Sequence, residues 1–165
     1  LILGEVSQTL TDFERFLEDF SSAAEFFTGI NVAERGIAAF VPDGELVLSP
    51  RWYGARTAKL VGTGYHEAGH LLELTLIRKD NPGASEEIIF ALWKNRDYAR
   101  NVVKKAFGRI RTGKSLKELR QEISDYSLKD FSETLAEAVE DFYMNGYGSS
   151  VLSRQIVKVL EEELI

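Results

Sequence analysis

Apolar side chains recur at helical spacing from Thr9 to Phe27, where Phe13, Phe16, Leu17, Phe20, Ala24 and Phe27 form one stripe. The spacing predicts an amphipathic helix, capped by Thr9 or Thr11 and ended by Gly29, with the stripe facing a core. The rhythm then shortens. Ile37-Ala38-Ala39-Phe40-Val41 and Glu45-Leu46-Val47-Leu48 are two β-prone runs separated by Pro42-Asp43-Gly44, and Pro50 stops the second. Such a pattern predicts a β-hairpin. A connecting region with Trp52 and Tyr53 leads to a helix from about Thr63 to Arg78, terminated by Asn81-Pro82-Gly83.

Helical periodicity fills the rest of the chain. One helix is expected over Ser85–Phe107, with Glu86 and Glu87 at its positive end, before a break at Gly108–Gly113. Ser115-Leu116-Lys117-Glu118 has the form of a capping box and opens a short helix to about Ile123. Leu128–Asn145, closed by Gly146 and Gly148, and Ser150–Leu160 complete the set. This order predicts an α+β fold: a small β-hairpin or sheet packed on the helix that holds the histidines, and a mostly helical C-terminal half. One domain over 1–165 is expected, made of an N-terminal helix (1–29), hairpin and histidine helix (36–80), and a helical part (84–165).

Composition narrows the function. With 44% apolar and 28% charged residues, the chain is that of an ordinary globular protein. A net charge of -6 argues against a nucleic-acid partner. Arg96, Arg100, Lys104, Lys105, Arg109 and Arg111 recur along one stretch, and a solvated helix face accounts for them. The chain has no cysteine, which removes disulfides, thiolate zinc sites and thiol nucleophiles from consideration. No run of apolar residues is long enough for a bilayer, no membrane partner is expected, and no secretory leader is visible. The chain opens at Leu1 rather than Met, so a domain excised from a longer protein is expected.

The chemistry is concentrated in His66-Glu67-Ala68-Gly69-His70, which holds both histidines of the chain. Residues four apart on a helix lie about 40° apart around its axis, so the two imidazoles share a face and can close on one zinc ion. Glu67 stands beside them, placed to accept the proton of a metal-bound water. Gly69 costs about 1 kcal/mol of helix propensity relative to Ala, which implies close approach of another segment. A catalytic zinc needs a third protein ligand, and without a third histidine that ligand must be a carboxylate. Glu73 shares the face but lies roughly 10 Å along the axis from His66, and so is a candidate to orient an imidazole N–H from behind. Glu133, Glu137 and Glu140 share a face of a later helix, opposite Leu135, Val139 and Phe142. Spacing alone leaves two readings open there: metal ligands, or the wet side of a helix with Asp130 and Glu133 as a capping box.

The histidine motif followed by Ser132-Glu133-Thr134-Leu135-Ala136-Glu137-Ala138-Val139 resembles gluzincin-type zincin metallopeptidases. It is similar to the protease domain of anthrax lethal factor and to the zincin-like domains of phage minor head (head-morphogenesis) proteins and some bacterial toxins. The resemblance covers roughly residues 36–160, and Gly44–Tyr53 resembles the strand and turn that border the cleft there. It implies a zincin-like fold, Glu133 as third ligand to Zn(2+), Glu137 as partner of a ligand histidine, and Tyr126 as hydrogen-bond donor to the oxyanion. Many relatives carry Phe and Asp where this chain has Ala68 and Glu73.

The resulting expectation is a zinc peptidase with His66, His70 and Glu133 as ligands and Glu67 as general base, acting on a peptide or protein without a covalent intermediate. Two other readings accompany it: a catalytically silent structural or interaction domain of a phage or mobile-element head protein, and a regulatory protease acting on a repressor. A cytoplasmic or virion-associated location is expected. The same donor set would also take manganese, iron or cobalt.

Overall fold

The computed structural model describes residues 11–26 apart from 13, the short segments 29–32, 39–40 and 45–48, and residues 63–165, with side chains described for 11–12, 14–23 and 64–165. Residues 11, 12 and 14–19 are helical, and a 3-10 turn, Ser21–Phe26, follows. Phe16 and Phe20 of the expected stripe are buried and stack on each other with ring centroids 5.3 Å apart. This segment docks on the C-terminal half: Tyr143 donates to Asp19 at 2.7 Å, and Ser22 Oγ donates to the Leu164 carbonyl at 2.8 Å.

The α+β class is corrected: the described residues are predominantly helical, and the long stretch 63–165 holds no strand. Short strands β1 (Gly29–Val32), β2 (Ala39–Phe40) and β3 (Glu45–Leu48) pair in the order β1-β3-β2, β1 parallel and β2 antiparallel to β3. The expected Pro42-Asp43-Gly44 turn and the run Pro50–Tyr53 lie outside the described residues. The physical reason for the correction lies in the core. Leu71, Leu72, Ile77, Val103, Leu135, Val139, Ile156 and Leu160 are buried, and all are helical. Local β-propensity marks where a strand can form, but packing decides which elements make the fold.

The histidine helix, Thr63–Asp80, runs through the middle. Between Tyr65 and Ile77 only His66 is more than marginally exposed, the pattern of a helix enclosed on all sides. Asn81 ends it by donating to the Ile77 carbonyl at 2.8 Å, and Gly83 takes φ +78° in the turn that follows. The single helix expected over Ser85–Phe107 is two, Glu86–Lys94 and Asp97–Gly108. They part at Arg96, whose φ of +64° is left-handed and cannot continue a helix. The capping box at Ser115 is present: Glu118 N–H donates to Ser115 Oγ at 3.1 Å and Ser115 N–H to Glu118 Oε1 at 3.2 Å, opening Leu116–Ile123. A 3-10 turn, Tyr126–Leu128, leads into the glutamate helix, Phe131–Asn145, and Ser150 caps the last helix, Val151–Leu164. Among the described residues no helix is long and apolar enough to cross a membrane. Of the basic stretch, Lys105 and Arg109 pair with Glu163 and Glu162 of the last helix, and Arg100 pairs with Asp97.

Candidate metal centre

The site is a crossing of two helices. A Cβ on Gly69 would stand 2.6 Å from the Ala136 Cα, so only glycine lets the backbones approach this closely. The crossing sets the third residue before Ala136, Glu133, against the residues on either side of Gly69's turn. Asp130 caps the glutamate helix, accepting from the Glu133 N–H at 2.9 Å. The Glu133 side chain does not fold back to complete a capping box; it extends to the histidines.

There Glu133 Oε2 lies 3.1 Å from His66 Nε2, and Oε1 lies 3.3 Å from His70 Nε2. His66, His70 and Glu133 each offer one ligand atom, all within 4.8 Å of one another. Two tests speak for a cation among them. Donors each about 2.0–2.1 Å from a tetrahedral zinc are about 3.3 Å apart, and each Nε2 lies at about that distance from one of the two Glu133 oxygens. Furthermore, Glu133 Oε2 is a buried atom with no hydrogen-bond partner among the described residues despite its nearness to His66, a misalignment natural to groups aimed at a common point. A carboxylate with two imidazoles is also the donor chemistry of a zinc site. The residues fit the group.

The electrostatics agree. Burial alone would drive the proton off His66, but the Glu133 and Glu137 carboxylates overcome it and raise its pKa well above the ordinary value, with Glu67 adding to the effect. His70 is raised for the same reasons by Glu133 and Glu67, against burial and the repulsion of His66. Glu133, though burial opposes its charge, is held far below the carboxylate range by both rings. The pocket is therefore built for a positive charge facing Glu133, whether protons or a metal supply it.

The supporting residues are placed unequally. Glu137 is buried and sits at the second imidazole nitrogen: His66 Nδ1 is 2.9 Å from Glu137 Oε2, and Ser124 Oγ donates to Oε1 at 2.8 Å. Glu137 is buried and Glu133 mostly covered, which removes the wet-face reading of their helix. Glu140 joins His66 and Glu137 in a second grouping of possible ligands, apart from His70. Glu67 is buried, 6% exposed. Tyr126, 46% exposed, lies at the rim with its ring 6.0 Å from that of His66, and Lys129 Nζ donates to its hydroxyl at 3.5 Å. Glu73 is fully buried but makes no bond to an imidazole. It accepts instead from Ser132 and Trp93, and His70 Nδ1 stands buried without a partner among the described residues. Ser124, Ser132 and Trp93 thus belong to the site without having been found in the sequence. Ser132 adjoins Glu133 in the chain, whereas nothing in the spacing links Trp93 or Ser124 to the histidines.

Compared with known proteins, the chain matches no family model, no curated sequence and no solved structure.

Proposed function

We propose that the protein is a zinc-dependent peptidase whose centre is held by His66, His70 and Glu133. The observation that carries this reading is the convergence of three ligand atoms, one from each residue, beside a buried glutamate. Three protein ligands are the number that leaves a coordination position for water, whereas structural zinc sites are closed by four. Zinc bound there would lower the pKa of a water toward neutrality and polarise a substrate carbonyl.

The chain's own residues supply the rest. Glu67 follows His66 directly, and its carboxylate is the base that takes a proton from the water and returns it to the leaving amine. Glu137 would accept from His66 Nδ1, fixing the tautomer that leaves the Nε2 lone pair for a metal to take. Tyr126 at the rim can turn its hydroxyl toward a developing oxyanion. Zinc is the choice of ligand type, and the substrate is a peptide or protein. The silent domain of a phage or mobile-element head particle, with a virion-associated rather than cytoplasmic location, differs in requiring no role for Glu67.

The test is metal analysis and a peptide-library cleavage screen on the chain and two variants. Glu133→Ala is expected to lose bound zinc. Glu67→Gln is expected to keep it while cleavage falls by about 10²–10⁴-fold, the usual weight of a general base. Equal zinc in Glu133→Ala would remove the ligand set, and equal cleavage by Glu67→Gln would remove the mechanism.

A further inference from the structure

Glu73 lies three residues beyond His70 and is wholly buried, at 0% exposure. A carboxylate in such a place is costly unless its oxygens have donors. Both have one: Oε1 accepts from Ser132 Oγ at 2.7 Å, and Oε2 accepts from Trp93 Nε1 at 3.2 Å.

Each donor adjoins a different ligand. Ser132 immediately precedes Glu133 in the first turn of the glutamate helix. The Trp93 ring stands edge-on to the His70 imidazole, with centroids 6.2 Å apart and planes at 75°. A second tie runs parallel to the first. Arg96 sits over the Trp93 ring at 5.4 Å, and its Nε lies 3.8 Å from the Asp130 carboxylate that caps the glutamate helix. Arg96 has a left-handed backbone, φ +64°, at the break between the helix that carries Trp93 and the one that follows. Among the described residues His70 has no hydrogen bond at Nδ1, and its ring packs against Trp93 there.

Resting on the ligand set proposed above, we infer that Glu73 is a positioning residue which, through Trp93 and Ser132, fixes His70 and Glu133 relative to each other and thereby sets the metal affinity of the centre. A buried polar cluster that served the fold alone would change the melting temperature and leave metal affinity untouched. Positioning predicts the reverse emphasis.

The experiment is a Zn2+ titration of the chelator-stripped chain in competition with a chelator of known affinity, with thermal melting of each metal-free variant alongside. Trp93→Phe keeps an aromatic ring beside His70 and removes the N–H along with part of the indole; Ser132→Ala removes the other donor. Each is expected to weaken Zn2+ binding by about 10–100-fold, the range for residues that orient ligands. The double variant is expected to lose less than the product of the two, because both act through one carboxylate. Zn2+ affinity within about two-fold of wild type in both single variants would overturn the inference, whatever their melting temperatures. Glu73→Gln alters the buried charge itself and is the variant most exposed to misfolding; the other two decide without it. Glu133→Ala in the same titration separates the two readings. If it loses zinc while Trp93→Phe and Ser132→Ala do not, this inference fails alone; if it binds like wild type, the ligand set fails.

Discussion

His66 and His70 belong to one helix and face one carboxylate, yet they are held by different means. His66 has a partner at each nitrogen: Glu133 at Nε2 and Glu137 at Nδ1, the latter anchored in turn by Ser124. His70 meets Glu133 at Nε2, while its buried Nδ1 has no partner among the described residues and its ring rests beside Trp93. A hydrogen bond to a carboxylate fixes both the angle of an imidazole and the nitrogen that carries the proton. Packing fixes the angle alone. A buried nitrogen left unpaired costs about 1–3 kcal/mol of desolvation, so on the contacts of the described residues the His70 side is the less well satisfied half. The two halves should therefore respond differently to substitution, and that difference can be measured.

The largest effect is expected where both halves fail together. Gly69→Ala would force a Cβ to within 2.6 Å of the Ala136 backbone, and backbone cannot swing aside as a side chain can. The helices must part, at a cost of about 3 kcal/mol, the upper end for overpacking. Since the same crossing carries Glu133 to both rings, zinc affinity should fall along with stability. For a chain of this size the melting temperature should drop by about 6–12 °C. A variant with unchanged melting and zinc binding would show that the helices do not need this approach.

The His70 half can be probed through pH. In the metal-free protein, burial pushes the Glu73 carboxyl up from 4.5 to about 7, against the hydrogen bond from Ser132 and the attraction of His70 and Arg96. Its folded pKa lies above the unfolded one, so its contribution to stability is complete below about 4.5 and is lost as pH rises through about 7. The loss is bounded by about 3 kcal/mol. The two histidines act in the same direction: raised in the fold, their contributions are present below 6.5 and lost as pH climbs past their folded values. Glu133, held low, contributes above 4.5 and is lost only in acid. Chelator-stripped protein should thus melt highest in mild acid and lower toward pH 8. Glu73→Gln should flatten that decline; parallel curves for the two proteins would refute the assignment.

The unequal halves were also unequally legible in the sequence. The spacing of His66 and His70 is read directly, because a helix converts four residues into one face. Gly69 signalled a close approach by its propensity cost, and Ala136 supplies it. Glu133 could be chosen over Glu137 and Glu140 only by resemblance, since three acids opposite an apolar stripe look alike until a neighbouring helix buries some of them. Glu73 was placed behind an imidazole because helical spacing sees only its own helix; its donors come from Trp93 and Ser132, on two others. Arg96 gave no warning of a left-handed break, as arginine is an ordinary helix former. The α+β expectation failed for a related reason. Residues 37–48 do carry a local β pattern, but the buried side chains that define the architecture belong to helices distant in sequence. Properties fixed within one helical turn were readable, and those fixed by which helices meet were not.

On the His66 half, Glu137→Gln keeps the shape and an oxygen but removes the charge that backs Nδ1. Zinc affinity is expected to fall by about 10–100-fold, with the metal-free fold retained. A fall of that size with Glu137→Gln and none with Trp93→Phe would mean that the carboxylate behind His66 holds the centre and the Trp93 N–H bond to Glu73 does not.

Ser124 lies one step further out and should have the smallest effect. Its hydroxyl donates to Glu137 Oε1 at 2.8 Å and also accepts from the Ser127 N–H at 3.1 Å, so it ties the turn before the glutamate helix to the carboxylate behind His66. Ser124→Ala leaves Glu137 with its charge and its bond to His66, removing one hydrogen bond to a charged group, worth about 1.5–3 kcal/mol when fully buried. Ser124 is only partly buried, so water can replace the lost donor and the net loss should be smaller. A decrease in zinc affinity of about three-fold is expected, with little change in metal-free melting, read by the same competition titration. If Ser124→Ala equals Glu137→Gln, the glutamate cannot hold His66 unaided, and the His66 half depends on a donor outside the helix pair as fully as His70 depends on Trp93. If it has no effect, Glu137 is positioned by its own helix, and the contrast between the two histidines reduces to the presence or absence of a single carboxylate.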